Sequence, residues 1–408
     1  MIGEVRGLKK RGPAASPALR ITGFGVQASR GIKGGVVVDV AEAEKAIRMA
    51  VDAAERSAGT EIEEVWVNIS GGQPRCTTLS AEMDIKGGGP VGAHHLRQLT
   101  ARAVASFDEG TREVVHVAPA AFHLDGGPAT PVVAGMYADR LRARVNVISV
   151  DRGPLRNLEM VIERSMLRPA GFVIAPWAAA RAVLTDDERE LGAIVVEVGA
   201  ANTSIAVVVE GRLEHAAMAP VGSQHITRDI AIGLRTPLSE AERLKTVSGS
   251  ALPGMHDDLE EIRALMLGEE GPGGAQQLPR SMLGAIIRPR VEEILELARD
   301  EIEACKASAG IRQVVLTGGG SQLCGMREMA EKVLGRNVRI GMPREMAGLP
   351  RMMASPAHAG VAGLVRMAMS PDGQGFQLAG NELARAGAPD DGADGYFSRV
   401  RRWLGQSF

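Results

Sequence analysis

Aromatic side chains are scarce here, 3% of 408 residues, yet Tyr396, Phe397, Trp403 and Phe408 crowd the last thirteen positions. Cysteine is scarcer still: Cys76, Cys305 and Cys324 are odd in number, far apart and free of any C-x-x-C or Cys/His grouping. That pattern excludes a disulfide framework and a zinc site and fits a reducing compartment. No run of about 18 apolar residues occurs, and the start, MIGEVRGLKKRGPAASPALR, lacks the apolar core of a secretory signal, so the body is expected to be soluble and cytosolic. Nor is there an excess of charge. Forty-seven basic residues stand against 49 acidic ones, a net charge of -2, which gives no field that would draw in nucleic acid.

What is present is the patterning of an α/β protein. RITGF, VVVDV and VWVNIS read as strands, with AEKAIRMAVDAAERSAG as a helix stopped by Gly59. From Cys76 to Arg152 the texture becomes that of a self-contained α+β piece, set off by the turn-formers GGGP and DGGPATP. A second α/β set starts at Ile194 with the hairpin IVVEV-GAANT-SIAVVV. Residues 240 to 310 read as mostly helical with a loop, GEEGPGGAQQLP, inside, and with RPRVEEILELARDEIEAC as the clearest helix and Pro289 near its start. Residues 370 to 394 are rich in Gly, Ala, Pro and acid, the composition of a flexible linker.

Three places suit ligand chemistry, and each has a plain structural alternative. The hairpin turn, with Gly199 and small residues, hydroxyls at Thr203 and Ser204, and an acid, Glu197, on the strand before it, suits phosphate on backbone N–H groups and a hydrated magnesium ion, or is an ordinary hairpin. Gly318, Gly319 and Gly320, between a buried strand and a helix, allow close approach of a ligand, or serve a turn that needs positive φ. Glu242 and Lys245 share one helix face, as a ligand pair or a surface ion pair.

Their order is more specific than any one of them. The hairpin, then GSQHITRDIAIGLRTP, AERLK, TGGGSQL and SPAHAGVAGLVRMA together resemble the nucleotide-binding half of the actin-like ATPase superfamily. QASRGIKGGVVVD, AVLTDDERELG, DIAIGLRTPLSEAERLK, RPRVEEILELA and FSRVRRWLG resemble one family within it, the bacterial cell-division FtsA family, across residues 20 to 408. The resemblance implies an actin-like two-domain fold of ribonuclease H-like halves. Residues 1–75 and 153–191 would form the first α/β subdomain, 76–152 a small inserted α+β subdomain, 192–240 and 311–369 the second α/β subdomain, and 241–310 a mostly helical one. A linker (370–394) and an amphipathic helix (395–408) would follow.

It further implies ATP and magnesium as ligands. Glu242, Lys245 and Gly318 to Gly320 would hold adenine and ribose, Gly199, Asn202 and Thr203 the triphosphate, and Glu197 the magnesium ion through water. The family pattern D-x-G-G-G-T-T-D is altered here. Glu197 replaces the first Asp, Ala200 and Ala201 two glycines, Asn202 the first Thr and Ser204 the last Asp. Alanine where φ is positive costs on the order of 1 kcal/mol, so at most weak ATPase activity is expected. The family also opens with a strand and a first phosphate loop ahead of a second strand whose middle MIGEVRG resembles. A late-assigned start is the expected reason for their lack, and a product truly beginning there is expected to bind ATP weakly and fold poorly in its first subdomain.

Partners implied by the resemblance are the FtsZ C-terminal tail, with Arg290 and Glu293 as its contacts, later division proteins, and further copies of the chain. The terminus is read from the residues themselves. As a helix it puts Tyr396, Phe397, Val400, Trp403 and Leu404 on one face and Arg399, Arg401 and Arg402 on the other or its flanks, with no acid from 396 to 408. Such a helix suits an anionic bilayer; docking on a protein surface is the alternative. The expected role is an ATP-binding adaptor tethering FtsZ filaments to the cytoplasmic face of the inner membrane at the division site. A pilus-assembly type of actin-like adaptor and a cytosolic chaperone-type ATPase are the rivals.

Overall fold

The computed structural model describes residues 1–6, 18–85, 87–107, 110–130, 132–268 and 275–369, so the linker and terminal helix expected at 370–408 lie outside the described residues. A first α/β layer starts with β1 (Ile2–Arg6), antiparallel to β2 (Ala18–Gly23), followed by a tiny hairpin of β3 (Ile32–Lys33) and β4 (Val36–Val37), then α1 (Val40–Ala58) and β5 (Glu64–Ile69). Helix α1 begins where the Asp39 carboxylate accepts the Glu42 N–H at 3.1 Å and ends at Gly59, which adopts the left-handed conformation that a glycine takes without strain.

The chain then leaves this layer to build a separate piece from β6 (Arg75–Asp84), α2 (Ala93–Ala105), β7 (Arg112–Leu124) and β8 (Arg140–Asp151). Its antiparallel sheet, ordered β6-β8-β7, buries Leu141, Val145 and Val147 with Leu99 of α2 in a core of its own. From there α3 (Arg152–Arg164) leads back to β9 (Arg168–Ile174), which pairs in parallel with β5, and on to α4 (Ala175–Val183) and α5 (Asp186–Leu191). A reciprocal cap between Thr185 and Glu188 starts α5.

The second half is a five-stranded sheet, ordered β12-β11-β10-β15-β16, built from β10 (Ala193–Val198), β11 (Thr203–Val209), β12 (Arg212–Ala219), β15 (Gln313–Thr317) and β16 (Asn337–Ile340). Helices α6 (Ser223–Gly233), α7 (Leu238–Ser248), α8 (Arg280–Ala304) and α9 (Met326–Leu334) contribute to the core on one face, and α10 (Ala359–Met369) to that on the other. Alternation along the strands divides the burial. Ile194, Val196 and Ile205 face the core that holds α6 to α9, whereas Val195, Ala206 and Val315 join the core shared with α4, α10 and the first half.

Two expectations for residues 240 to 310 are corrected. The segment holds a β-hairpin, β13 (Glu261–Leu265) with β14 (Ala275–Pro279), and α8 starts nine residues before Pro289, which lies inside the helix. Proline there removes an N–H that would meet the carbonyl four residues earlier. The helix persists because its buried stripe runs unbroken through the site, from Leu283 and Ile287 to Val291, Ile294, Leu295, Ala298 and Ile302.

Two sets of contacts are among those that join the halves. Helices α4 and α10 cross so closely that a Cβ on Gly363 would lie 1.7 Å from the Ala178 carbonyl oxygen. The inserted sheet also reaches the second half: the Asn146 side chain donates to the carbonyls of Leu213 (3.4 Å) and Glu214 (3.1 Å) on β12, and Arg212 donates to the Ala120 carbonyl at 3.1 Å. Because backbone cannot yield at the helix crossing, Gly363→Ala is expected to lower stability by at least about 2 kcal/mol. Chemical denaturation tests this, and a loss within about 0.5 kcal/mol of zero would show that the crossing is not the constraint described.

Candidate functional site

Between the halves lies a cleft of about 930 Å³ lined by the β3–β4 hairpin, the end of β5, the β10–β11 turn and the start of α6. The turn is held from behind. Gly199 donates to the Asn202 carbonyl at 2.9 Å, while the first amides of α6, Ser223 and Gln224, donate to the carbonyls of Gly199 (2.9 Å) and Ala200 (2.7 Å). Gly222 permits this docking, since a Cβ there would stand 2.7 Å from both carbonyl oxygens. Neither Ala200 nor Ala201 has positive φ, so the backbone strain expected from these alanines is absent; their methyls alone distinguish the turn from one built of glycine.

The expected ligands of the turn part company. Gly199 and Asn202 line the cleft, but Thr203 is fully buried and its hydroxyl donates to the Val221 carbonyl at 2.8 Å, which leaves the cleft to Ser204 and the turn backbone. Asn202 points across the gap, its Nδ2 donating to the carbonyls of Gly34 (3.1 Å) and Ser70 (2.5 Å).

On the cleft floor sits Glu197 of β10, whose carboxyl is pushed by burial up to about 7. Asn68 at the end of β5 also lines the cleft, and its Oδ1 is buried without a hydrogen-bond partner among the described residues. Both side chains flank Gly360 of α10, where an added Cβ would meet Asn68 Nδ2 at 3.3 Å and Glu197 Oε1 at 3.4 Å. An unpaired amide oxygen beside a carboxyl offers hard oxygen ligands to a magnesium ion. No cluster of three ligating side chains exists among the described residues, so such an ion would keep water and phosphate in its shell. Magnesium would supply charge neutralisation for a polyphosphate here; Glu197 and Asn68 would orient its water.

Glu242, Lys245 and Gly318 to Gly320 do not line this cleft but lie behind the turn, against the start of α6 and Val198. Lys245 is buried and its Nζ donates to Glu242 Oε2 (2.7 Å), Thr227 Oγ1 (2.9 Å) and the Ser223 carbonyl (3.3 Å), while Thr227 donates to Glu242 at 2.6 Å. Burial raises the Glu242 carboxyl, but the bonds from Lys245 and Thr227 outweigh it and hold the group below its ordinary value. The glycines divide by role. Gly318 has φ 84° and leaves no room for a Cβ, which would stand 2.4 Å from the Val198 carbonyl, and Gly320 packs on Val198 and Ser223. Gly319 alone is open, with nothing nearer than the Ala357 Cβ at 3.8 Å.

Arg290 on α8 pairs with Asp229 of α6 through Nε (2.6 Å) and Nη2 (3.2 Å) and also bonds Glu293, so the pair expected at a partner surface is also a tie between two helices. Residues 396 to 404 lie outside the described residues. The sequence did not single out Asn68, Ser70 or Gly34. Their signal was weak: Asn68 and Ser70 close the strand-like VWVNIS, and Gly34 belongs to a Gly-Gly pair.

A glutamate whose folded value is raised from 4.5 to about 7 favours the folded state fully below about pH 4.5, and that contribution is lost as pH climbs through 7. Without ligand, Glu197→Gln is therefore expected to gain stability relative to the parent between about pH 5 and pH 8, up to about 3 kcal/mol, read from paired unfolding curves. Parallel curves would show that the carboxyl is not desolvated. Magnesium needs the ionised form, so its apparent affinity should fall below about pH 7 in the parent alone.

Comparison with known proteins fits this arrangement. The family model described as "Cell division protein FtsA" matches residues 194–363, and that described as "SHS2 domain inserted in FTSA" matches residues 71–149, the stretch that builds the inserted sheet. The chain is 38% identical over 400 residues to the cell division protein FtsA of Rhizobium meliloti, covering 97% of this chain and 88% of that one. It is 29% identical over 411 residues to that of Pseudomonas aeruginosa, covering 100% and 95%. A solved structure titled "PilM-PilN type IV pilus biogenesis complex" superposes with a TM-score of 0.60 at 17% identity, covering 90% of this chain and 95% of that chain, a likeness of fold. The chain belongs to the FtsA family of cell-division proteins.

Proposed function

We propose that this cell-division protein is an ATP-binding, magnesium-dependent adaptor that anchors FtsZ filaments to the cytoplasmic face of the inner membrane at the septum and helps recruit later division proteins. The observation that carries the nucleotide part is the cleft itself: an α6-braced turn facing Glu197 and Asn68, with the Glu242–Lys245 pair and open Gly319 behind it. Gly199 and Asn202 would hold phosphate on the turn, which Thr203 braces through the Val221 carbonyl; Glu242, Lys245 and open Gly319 would meet the base and sugar, and turnover would be weak.

The membrane part rests on residues 396–404. Tyr396, Phe397, Val400, Trp403 and Leu404 would enter the interface, with Arg399, Arg401 and Arg402 meeting anionic headgroups. Among the described residues no helix is long and apolar enough to cross a membrane. One short helix binds lipid marginally, and self-association into filaments would add avidity. The FtsZ tail would dock on α8 at Arg290 and Glu293. Because Arg290 also braces α6, Glu293 is the better probe of the two.

The test is co-sedimentation of purified FtsZ with anionic liposomes. Intact protein with ATP is expected to carry FtsZ down with the lipid, and a form ending at Gly395 to leave it in solution. Lipid binding without FtsZ would turn the reading to the pilus-type adaptor. Glu293→Lys is expected to weaken FtsZ capture severalfold while lipid binding stays intact, and equal capture would remove this residue from the contact.

A further inference from the structure

The contact at Asn202 does more than line the cleft. Its carboxamide nitrogen sits on the second half and bonds two carbonyls of the first, those of Gly34 (3.1 Å) and Ser70 (2.5 Å), lying 168 and 132 residues away in the chain. We infer that Asn202 is an interdomain clasp that holds the cleft closed without ligand and changes partner when a nucleotide polyphosphate enters. This rests on the nucleotide reading above and adds to it how the cleft is regulated.

Both ends of the clasp are fixed. The two acceptors belong to a tight stack: a Cβ on Gly35 would lie 2.3 Å from the Ser70 carbonyl oxygen, and one on Gly71 would lie 2.6 Å from the Gly35 carbonyl. Neither carbonyl can turn away without unpacking that stack. On the opposite side the turn is pinned by α6 through Ser223 and Gln224. What remains free to move is the Asn202 side chain, and with it the width of the cleft.

The chemistry is particular to an amide. A carboxamide presents two N–H donors at the end of a two-carbon arm, one for each carbonyl; a threonine hydroxyl has one donor on a shorter arm. The exchange also has a direction. A phosphate oxygen against the carbonyls of Gly34 and Ser70 is repelled, whereas an N–H donor gains about twofold in strength by trading a neutral acceptor for an anionic one. Polyphosphate thus interacts differently with the clasped and released states, which is what a ligand needs in order to shift a population between them.

The experiment uses the full chain with nitroxide labels at exposed Lys45 on α1 and exposed Lys332 on α9, each changed to Cys in a Cys324→Ser background, and reads the distance between the halves by electron–electron double resonance. Asn202→Thr and Asn202→Asp are compared with the parent, and circular dichroism reports that each is folded. Without nucleotide the parent is expected to give one narrow distance and both variants a broader or displaced one. With ATP and magnesium the parent should move towards the variants' distribution. Asn202→Thr, which keeps a hydroxyl for phosphate and loses the clasp, should bind ATP about three to ten times more tightly, the scale of one net hydrogen bond. Identical nucleotide-free distances in all three proteins would overturn the clasp. If the parent fails to bind ATP in a titration, polyphosphate is overturned as the releasing ligand, and the nucleotide-free comparison still judges the clasp.

Discussion

The two halves depend on one crossing, that of α4 and α10. Five of the nine residues of helix α4 are alanine and all but Arg181 are buried, and α10 meets it at Gly363, where backbone touches backbone. Small residues on both helices let the axes approach until each half shares a core with the other, with Val195 and Val315 of the second sheet in the same apolar cluster as Phe172 and Ile174 of the first. A contact of this kind resists sliding and separation but leaves rotation about its point of closest approach comparatively soft. The cleft lies beside it, because the β10–β11 turn and the end of β5 project past the same junction.

That position accounts for the polarity of the cleft. A site between two halves that stay associated is partly shielded from water, so its polar groups must find partners or shift their ionisation. Asn202 finds carbonyls, Lys245 finds Glu242 and Thr227, and Glu197, desolvated by burial, takes up a proton more readily. These are three responses to one loss of solvent. The last leaves a group whose charge depends on what enters the cleft.

Much of this was legible in the sequence where the signal is local. The valine-rich hairpin around Gly199, the strand before Gly318 and the apolar stripe of α8 follow from periodicity, and the family resemblance followed from the order of such pieces. Legibility failed where a local signal was weak or overridden. The β13–β14 hairpin has two five-residue strands, with only Ile262 and Ala264 buried on β13. Pro289 argued for a helix start and was overruled by packing on both sides of it. The penalty expected at Ala200 and Ala201 assumed a turn conformation that the bracing by α6 does not impose. Asn202 was expected as a phosphate ligand because the family resemblance places it in the phosphate hairpin; its neighbours in space come from residues 34 and 70, and no spacing rule connects them.

The ribbon of β11 and β12 carries the nucleotide turn at one end and the Asn146 and Ala120 contacts of the inserted sheet near the other. Seven residues of strand span about 23 Å, at about 3.3 Å each. A stiff ribbon of that length is a mechanical lever. A tilt of about 5° at the turn displaces the far end by about 2 Å over that span, more than a hydrogen bond at Asn146 tolerates. The inserted sheet must then either travel with the ribbon or let it go, so its orientation follows any tilt of the turn, at β12 and at the cleft edge that Arg75 and Cys76 of β6 line.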